Sequence, residues 1–157
     1  MLQALVPLVL LMNGLAAGVL LGSQLGAVPL MKSMPAEGYV YVHAFFSTRY
    51  DPFMPACLIG TSALDVVFGL SAGSQTDKSL FFVAGGLALG TVAISIAKNV
   101  PVNKWVRTLD PDNLPADFGE LDPRSRWGFW NLVRTVLAVG ALVLNCVAVA
   151  WSYTPHG

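Results

Sequence analysis

Four long apolar runs constrain the fold of this chain more than any other feature. They cover residues 7–31, 53–73, 80–97 and 129–152, and Asp65 and Arg134 are the only charged residues within them. A helix needs about 20 apolar residues to cross the hydrocarbon core of a bilayer. Backbone polar groups in lipid must also be satisfied inside the segment, which favours helices. We therefore predict an all-α fold, a four-transmembrane-helix bundle forming one integral membrane domain over residues 1–157.

The composition agrees with a small membrane protein whose main partner is the lipid bilayer. Apolar residues make up 55% of the chain and charged residues 11%, whereas soluble domains carry about 25% charged residues. The formal net charge is zero, so no basic surface exists for nucleic acid and we expect no such partner. Four short helices bury a limited core, which leaves room for a homo-oligomer.

The distribution of Lys and Arg predicts the orientation. Cytoplasmic loops of membrane proteins carry an excess of these residues. The second connection has only Lys78, whereas the first and third connections hold the basic residues Lys32, Arg49, Lys104, Arg107, Arg124 and Arg126. We predict a multi-pass protein with the long connections in the cytoplasm and the N- and C-termini on the outer side.

The first connection has a helical pattern of its own. Tyr39, His43, Phe46 and Tyr50 recur at spacings of four, three and four residues. Residues at these spacings share one face of a helix. We expect an extra interfacial helix between helices one and two, lying against the bundle or in the membrane interface.

Polar residues concentrate at the cytoplasmic ends of the predicted helices. Asn99 and Asn103 surround Pro101 at the end of the third run, where we expect the helix to break; Asn131 and Arg134 share a face of the fourth helix. With Gln24 at the same depth, these residues could form one wall of a cytoplasm-facing pocket. Alternatively, the asparagines cap carbonyls freed around Pro101, and Arg134 snorkels to the headgroups above an aromatic belt of Trp127 and Trp130.

His43 is the sharpest candidate for chemistry, since the only other histidine, His156, lies in the tail. Its unperturbed pKa of about 6.5 suits a general base or a metal ligand. One histidine is weak evidence for a metal, because catalytic sites usually assemble about three protein ligands. The alternative is an interfacial histidine bonded to a backbone carbonyl.

Asp65 stands near the middle of the second run. An intramembrane carboxylate is a candidate for proton or cation coupling. Alternatively it is a neutral acid, hydrogen-bonded to neighbours such as Ser62, Thr61 or Asn13. Asn13 and Asn145 fall at a similar depth, so we expect them to be able to hydrogen-bond across helices.

Four motifs together resemble the anthrone oxygenase-like family of small four-helix membrane proteins. They are Pro29 at the end of helix one, Tyr50-Asp51-Pro52-Phe53-Met54-Pro55, Asn99-Val100-Pro101-Val102-Asn103, and Trp127-x3-Asn131-x2-Arg134. The resemblance covers nearly the whole chain. Characterised members are similar to fungal enzymes of secondary metabolism that oxidise polyketide anthrones to anthraquinones with molecular oxygen.

The resemblance implies a membrane-bound oxidoreductase, a monooxygenase acting with O2 on a small hydrophobic, anthrone- or phenol-like intermediate. It adds weight to a catalytic set of His43, Arg134 and Asn131. The expected substrate-binding residues are Tyr50, Asn99, Asn103, Trp127, Trp130 and Phe46, with Phe45 in the same apolar pocket. An electron-rich carbanion can pass an electron to O2 without a cofactor; a metal or haem, with His43 as a ligand, stays open.

Two readings from other classes remain. The chain could be a small transporter in which Asp65 couples to protons, or a non-catalytic membrane assembly subunit. Substitution separates them, because an oxygenase depends on His43 and Arg134 and tolerates Asp65→Asn.

Overall fold

The computed structural model describes residues 2–152, which contain helices and no strand. Six helices follow a short 3-10 turn: α1 Val6–Ser33, α2 Ala36–Phe46, α3 Phe53–Ser71, α4 Gln75–Val106, α5 Phe118–Leu121 and α6 Arg124–Ser152. Four segments, namely α1, α3, α4 and the stretch holding α5 and α6, are long and apolar enough to cross a membrane. The all-α fold with four such helices is therefore confirmed. His156 lies outside the described residues.

The four long helices form a closed bundle in which each packs against two others: α1 on α3 and α6, and α4 on α3 and α6. Small residues dominate the centre, where Ala16, Ala17, Ala88, Ala138 and Ala141 are buried together. Small side chains let membrane helices approach closely. Gly85 shows how tight this packing is, because a Cβ on it would lie 3.0 Å from Asp65 Cβ. A Cβ on the adjacent Gly86 would meet nothing within 4 Å.

The prolines of α1 and α4 do not end their helices, so the predicted breaks at Pro29 and at Pro101 are wrong. Each proline instead follows a five-residue π-helical turn, Ser23–Ala27 in α1 and Ser95–Asn99 in α4. The N–H of Val28 donates to Ser23 O and that of Val100 to Ser95 O. A proline has no N–H to donate within an α-helix, and its ring clashes with the preceding turn. The wider π turn accommodates both the missing hydrogen bond and the ring. Both helices therefore continue beyond the predicted limits of 31 and 97.

Helix α2 follows α1 and precedes α3 in the chain, as expected. Its position in the membrane interface remains a prediction. It joins a cluster at its end of the bundle made by Val28, Met31, Tyr39, Val40, Val102, Val106, Phe118 and Trp127. Arg124 holds this end together, since its Nη1 donates to Met31 O at 3.2 Å and to Met34 O at 2.7 Å. The same side chain pairs with Asp122. The loop before α6 and the link before α2 are thus fastened to each other.

Candidate functional site

A cavity of about 380 Å³ lies between α1, α3, α4 and α6, at the end of the bundle that carries α2. Ligand pockets in proteins run from about 300 to 1,000 Å³, so this one suits a small molecule. Its wall is mostly apolar. The polar side chains that line it are Ser23, His43, Ser47, Tyr50, Asp51, Ser95, Asn103, Trp127 and Arg134.

One hydrogen-bond acceptor orients His43. Asn103 Oδ1 accepts from Trp127 Nε1 at 2.8 Å and lies 2.9 Å from His43 Nε2. An indole N–H only donates, so this atom of Asn103 must be the carbonyl oxygen. Nε2 of the neutral imidazole therefore carries the hydrogen and Nδ1 carries the lone pair. Nδ1 is buried without a partner among the described residues.

Aromatic rings enclose His43, which is only 2% exposed. Its ring meets Trp127 edge-on at 4.9 Å and Tyr39 edge-on at 5.3 Å. Burial lowers the pKa of His43; the hydrogen bond with Asn103 raises it, and the charge of Arg134 lowers it further. The imidazole is thus neutral at neutral pH. Its polar partner is an amide side chain, so the alternative of a histidine bonded to a backbone carbonyl does not hold.

Arg134 is a buried cation at the cavity, 8% exposed. Its Nε and Nη2 donate to Asn131 Oδ1 at 3.1 and 2.8 Å, and Nη1 donates to Ser95 Oγ at 3.2 Å. A guanidinium has five N–H donors, and these contacts leave two of them free. Because the group lies inside the bundle, the snorkelling interpretation is wrong.

The guanidinium has no ion-pair partner within residues 2–152, where the one salt bridge joins Arg124 and Asp122. The carboxylate whose charge acts on it is Asp51, an exposed residue lining the cavity. Buried charges in proteins are normally paired. A cation with spare donors beside an apolar cavity is therefore suited to bind an anion there.

Two of the predicted residues support the site from behind the cavity wall. Asn131 Nδ2 donates to Gln24 Oε1 at 2.7 Å, which orients the oxygen that holds Arg134. Asn99 Nδ2 donates to Trp127 O at 3.3 Å. Both asparagines are fully buried. They connect α1, α4 and α6, and they do not contact the cavity.

The predicted aromatic wall is only partly present. Phe46 and Tyr50 line the cavity with their rings stacked 6.4 Å apart. Trp130 is not part of the lining; its ring packs on Phe129 and lies 5.2 Å from Lys98 Nζ. Phe45 is likewise outside, exposed beneath Arg49. Helical spacing placed these last two rings near the site without showing which way they point.

Three residues that line the cavity were not predicted as site residues: Ser23, Ser95 and Asp51. A signal for the serines was present, because each begins a π turn and stands five residues before a Val-Pro pair, Val28-Pro29 or Val100-Pro101. That pattern occurs in two helices that reach the same cavity. Asp51 carried no comparable signal beyond its place in the motif before α3.

A second polar cluster lies away from the cavity. Asn145 Nδ2 donates to Asn13 Oδ1 at 3.1 Å, the expected contact, and to Asp65 Oδ2 at 3.2 Å. All three side chains are fully buried. Asp65 Oδ1 and Asn145 Oδ1 have no partner among the described residues. A proton on Asp65 Oδ1 would turn this unpartnered oxygen into a hydrogen-bond donor.

The described residues contain no group of three His, Cys, Asp or Glu side chains that could hold a metal ion. Among the residues that line the cavity, His43 carries the imidazole, and its unpartnered Nδ1 is buried. A metal or haem at the cavity would therefore have one imidazole ligand, that of His43.

The fold and the cavity define a class of protein: a helical bundle with four helices long and apolar enough to cross a membrane, and with a cavity of small-molecule size that buried polar side chains line. The sequence model of the family described as anthrone oxygenase matches residues 43–144, well over half of the chain, and the chain belongs to this family. The matched region begins at His43 and includes Asn103 and Arg134. No curated protein and no solved structure matches the chain.

Proposed function

We propose that the protein is a membrane-bound monooxygenase that uses O2 to oxidise a small hydrophobic aromatic molecule of the anthrone or phenol type. The observation that carries the proposal is that His43 and Arg134 line one cavity, where His43 Nδ1 has no hydrogen-bond partner and the Arg134 guanidinium has no ion-pair partner among the described residues. A base and an anion-stabilising cation are the two groups needed to form and hold a carbanion or phenolate. Membership of the anthrone oxygenase family supports the same chemistry.

The overall reaction converts an activated methylene and O2 into a carbonyl and water. The carbanion formed by loss of one proton combines with O2, and the resulting peroxide anion takes that proton back to give a hydroperoxide on the same carbon. Loss of the second C–H proton and cleavage of the O–O bond then form the C=O bond and release water. The substrate supplies all the electrons that O2 accepts. O2 is the cosubstrate, and a metal or haem held by His43 would supply an alternative route for O2 activation.

His43 is the proposed base. Its Nδ1 takes the proton from the methylene or from a neighbouring phenol, and the Nε2–H bond to Asn103 keeps the ring in place while the imidazole becomes charged. The surrounding rings exclude water, which strengthens the interaction of the base with the substrate. The same nitrogen can return its proton to the oxygen that leaves as water.

Arg134 is the proposed anion holder, and Asn131 positions it. The two free N–H donors of the guanidinium stabilise an enolate or phenolate oxygen more strongly in an apolar cavity than in water. Asn131 and Ser95 occupy the other donors, so the guanidinium is oriented before the substrate binds. Phe46 and Tyr50 offer flat apolar surface for the rings of an aromatic molecule.

The proposed setting is a multi-pass membrane protein with the cavity near the cytoplasmic side. The support is the excess of Lys and Arg in the long connections, which also places both termini outside. Asn13, Asp65 and Asn145 then belong to the outer half of the bundle. Assembly into a homo-oligomer remains a prediction.

The experiment uses the purified protein in lipid nanodiscs with 1,8-dihydroxyanthrone as substrate, following O2 consumption and formation of the quinone. We expect His43→Gln and Arg134→Met to lose turnover while Asp65→Asn retains it. Gln in place of His43 keeps an N–H donor for Asn103 but has no basic nitrogen. Visible spectra and metal analysis of the same sample report on a haem or metal.

A proton-coupled transporter is the second candidate, and one observation favours it: the buried carboxyl of Asp65 has an oxygen without a partner in the described structure. Loss of all function in Asp65→Asn, with His43→Gln and Arg134→Met unaffected, would replace the oxygenase proposal by this one. A non-catalytic assembly subunit predicts no turnover in the unaltered protein and no effect of any of these substitutions on O2 consumption.

A further inference from the structure

The cavity wall includes side chains that also form the outer surface of the bundle. On α3 these are the half-buried Pro55 and the exposed Ile59, and on α4 they are the half-buried Val92 and the exposed Ile96. Ile59 is 53% exposed and Ile96 is 63% exposed. Side chains that line a cavity and are also more than half exposed lie at an opening in its wall. We call these four residues the α3–α4 rim.

The α3–α4 rim consists of two matching pairs. Ile59 follows Pro55 by four residues and Ile96 follows Val92 by four residues, so each pair lies along one face of its helix. Helices α3 and α4 are joined by a short turn and pack closely. The two pairs therefore frame the seam between neighbouring helices.

The depth of Ile59 places the α3 side of the rim within the apolar part of the bundle. Ile59 is six residues from Phe53, the first residue of α3, which is about 9 Å along a helix that rises about 1.5 Å per residue. The hydrocarbon core of a bilayer is about 30 Å thick. An opening at this depth on the outside of a membrane-spanning bundle meets lipid chains rather than water.

The residues behind the α3–α4 rim belong to the candidate site. Ser95 directly precedes Ile96 and opens the π turn of α4, and its Oγ accepts from Arg134 Nη1. Ser95 thus contacts the site while Ile96 reaches the surface. The π turn places the lipid-facing residue and the residue that contacts the guanidinium next to each other in the chain.

The aqueous end of the cavity is less suited to an apolar molecule. Its exposed lining residues are Phe46, Tyr50, Asp51 and Pro52, with the half-buried Ser47 nearby. An apolar ligand entering there would strip water from the Asp51 carboxylate, which is costly because ionised groups are strongly hydrated. At the α3–α4 rim it would displace only lipid chains.

We propose that the α3–α4 rim is a lateral portal through which the cavity takes a lipid-dissolved, flat aromatic molecule bearing an acidic hydroxyl. The rim supplies apolar contacts at the bilayer, and the counter-ion-free guanidinium of Arg134 supplies the partner for the hydroxyl once it ionises. The reaction of such a molecule rests on the proposed function, whereas its route of access rests on the rim itself.

The test measures binding and turnover separately. Stopped-flow absorbance follows the binding of 1,8-dihydroxyanthraquinone to the protein in nanodiscs, and O2 consumption with the corresponding anthrone reports turnover. Ile59→Trp and Ile96→Trp should each fill the gap between α3 and α4. The matched controls are Val66→Trp on α3 and Leu89→Trp on α4, two exposed positions that do not line the cavity.

We expect at least a tenfold lower association rate for both rim variants and a change of less than twofold for both controls, with equal thermal unfolding temperatures for all four. Ile59→Ala, which widens the gap, should bind faster than the unaltered protein and keeps the test decisive if a tryptophan variant fails to fold. Unchanged association in the rim variants, or slower association in Tyr50→Trp instead, would overturn the portal. Absence of saturable quinone binding would overturn the ligand class, and quinone binding without O2 consumption would overturn only the oxygenase proposal.

Discussion

The side-chain oxygen of Asn103 lies 2.9 Å from His43 Nε2 and thereby determines which imidazole nitrogen is free. The same oxygen accepts the indole N–H of Trp127, so both of its lone pairs are engaged by donors. Three helices meet at this atom, because His43 is on α2, Asn103 on α4 and Trp127 on α6. The atom links the packing of the bundle end to the protonation of the candidate base.

The pH dependence of turnover should follow His43. Burial lowers the pKa of this residue, and only its neutral form can accept a proton. We therefore expect kcat/KM to stay constant from neutral pH downward and to fall only below the ordinary histidine value of about 6.5. Asn103→Asp places a carboxylate beside the ring and should move the midpoint to higher pH. A midpoint above the ordinary value in the unaltered protein would contradict the assignment.

Loss of the acceptor itself should destabilise the fold. Asn103→Leu leaves two buried donors, on His43 and Trp127, without a partner, and each unsatisfied group costs about 1–3 kcal/mol. We expect a lower free energy of unfolding, measured by denaturant titration in detergent, together with reduced turnover. The matched control is Asn113→Leu in the exposed connection before α5, where no effect beyond about 0.5 kcal/mol is expected.

Removing the guanidinium of Arg134 should act on the chemical step. Loss of one oxyanion-stabilising donor group costs about 10²–10³ in kcat, and we expect a decrease of that order for Arg134→Met. The control is Arg126→Met, which removes the same charge from an exposed position near the start of α6. Single-turnover rates measured at saturating anthrone separate this effect from weaker binding. Equal decreases in the two variants would point to overall charge instead.

The two neighbouring glycines of α4 should differ sharply. Gly85→Leu pushes a side chain against Asp65 and against the backbone oxygen of Ser62, 3.4 Å from the position of the added Cβ. Overpacking of this kind costs about 1–3 kcal/mol. Gly86→Leu meets open space and should be neutral or stabilising, since leucine favours helix over glycine. Thermal unfolding of both variants in one detergent makes the comparison; equal unfolding temperatures would contradict the close packing of α4 on α3.

Much of the fold was predictable because the hydropathy and the length of a helix can be read from its own segment of the sequence. The four long segments, the all-α class and the contact between Asn13 and Asn145 follow from run length and from depth counted in residues. The helix ends around Pro29 and Pro101 were not predictable in the same way. A proline breaks an α-helix by removing one bond, and whether a wider turn absorbs that loss depends on packing by other helices.

For the candidate site, the depth of the residues in the bundle was predictable, whereas the direction in which their side chains point was not. Depth correctly grouped four residues: Asn99, Asn103, Asn131 and Arg134. Their side chains form hydrogen bonds that join α4 to α6 and α6 to α1. Trp130 belongs to the same depth as Trp127 but packs on the outer side of α6, away from the cavity. Pairings such as Arg134 with Ser95 join residues far apart in the chain, and no local pattern reports which side chains of two helices will meet.

The π turn at Ser95–Asn99 makes the local winding of α4 a determinant of the site. An α-helix advances by about 100° per residue, whereas the five residues of a π turn advance about as far as four α-helical residues. If the same five residues wound as a regular α-helix, everything after them would rotate by nearly 100°. Asn103 would leave His43 and Trp127 although its identity and its neighbours in sequence were unchanged. The same arithmetic applies to the turn at Ser23–Ala27 and to the residues of α1 that follow it. In this family member, the winding of the turn between serine and proline is as specific a requirement as any side chain.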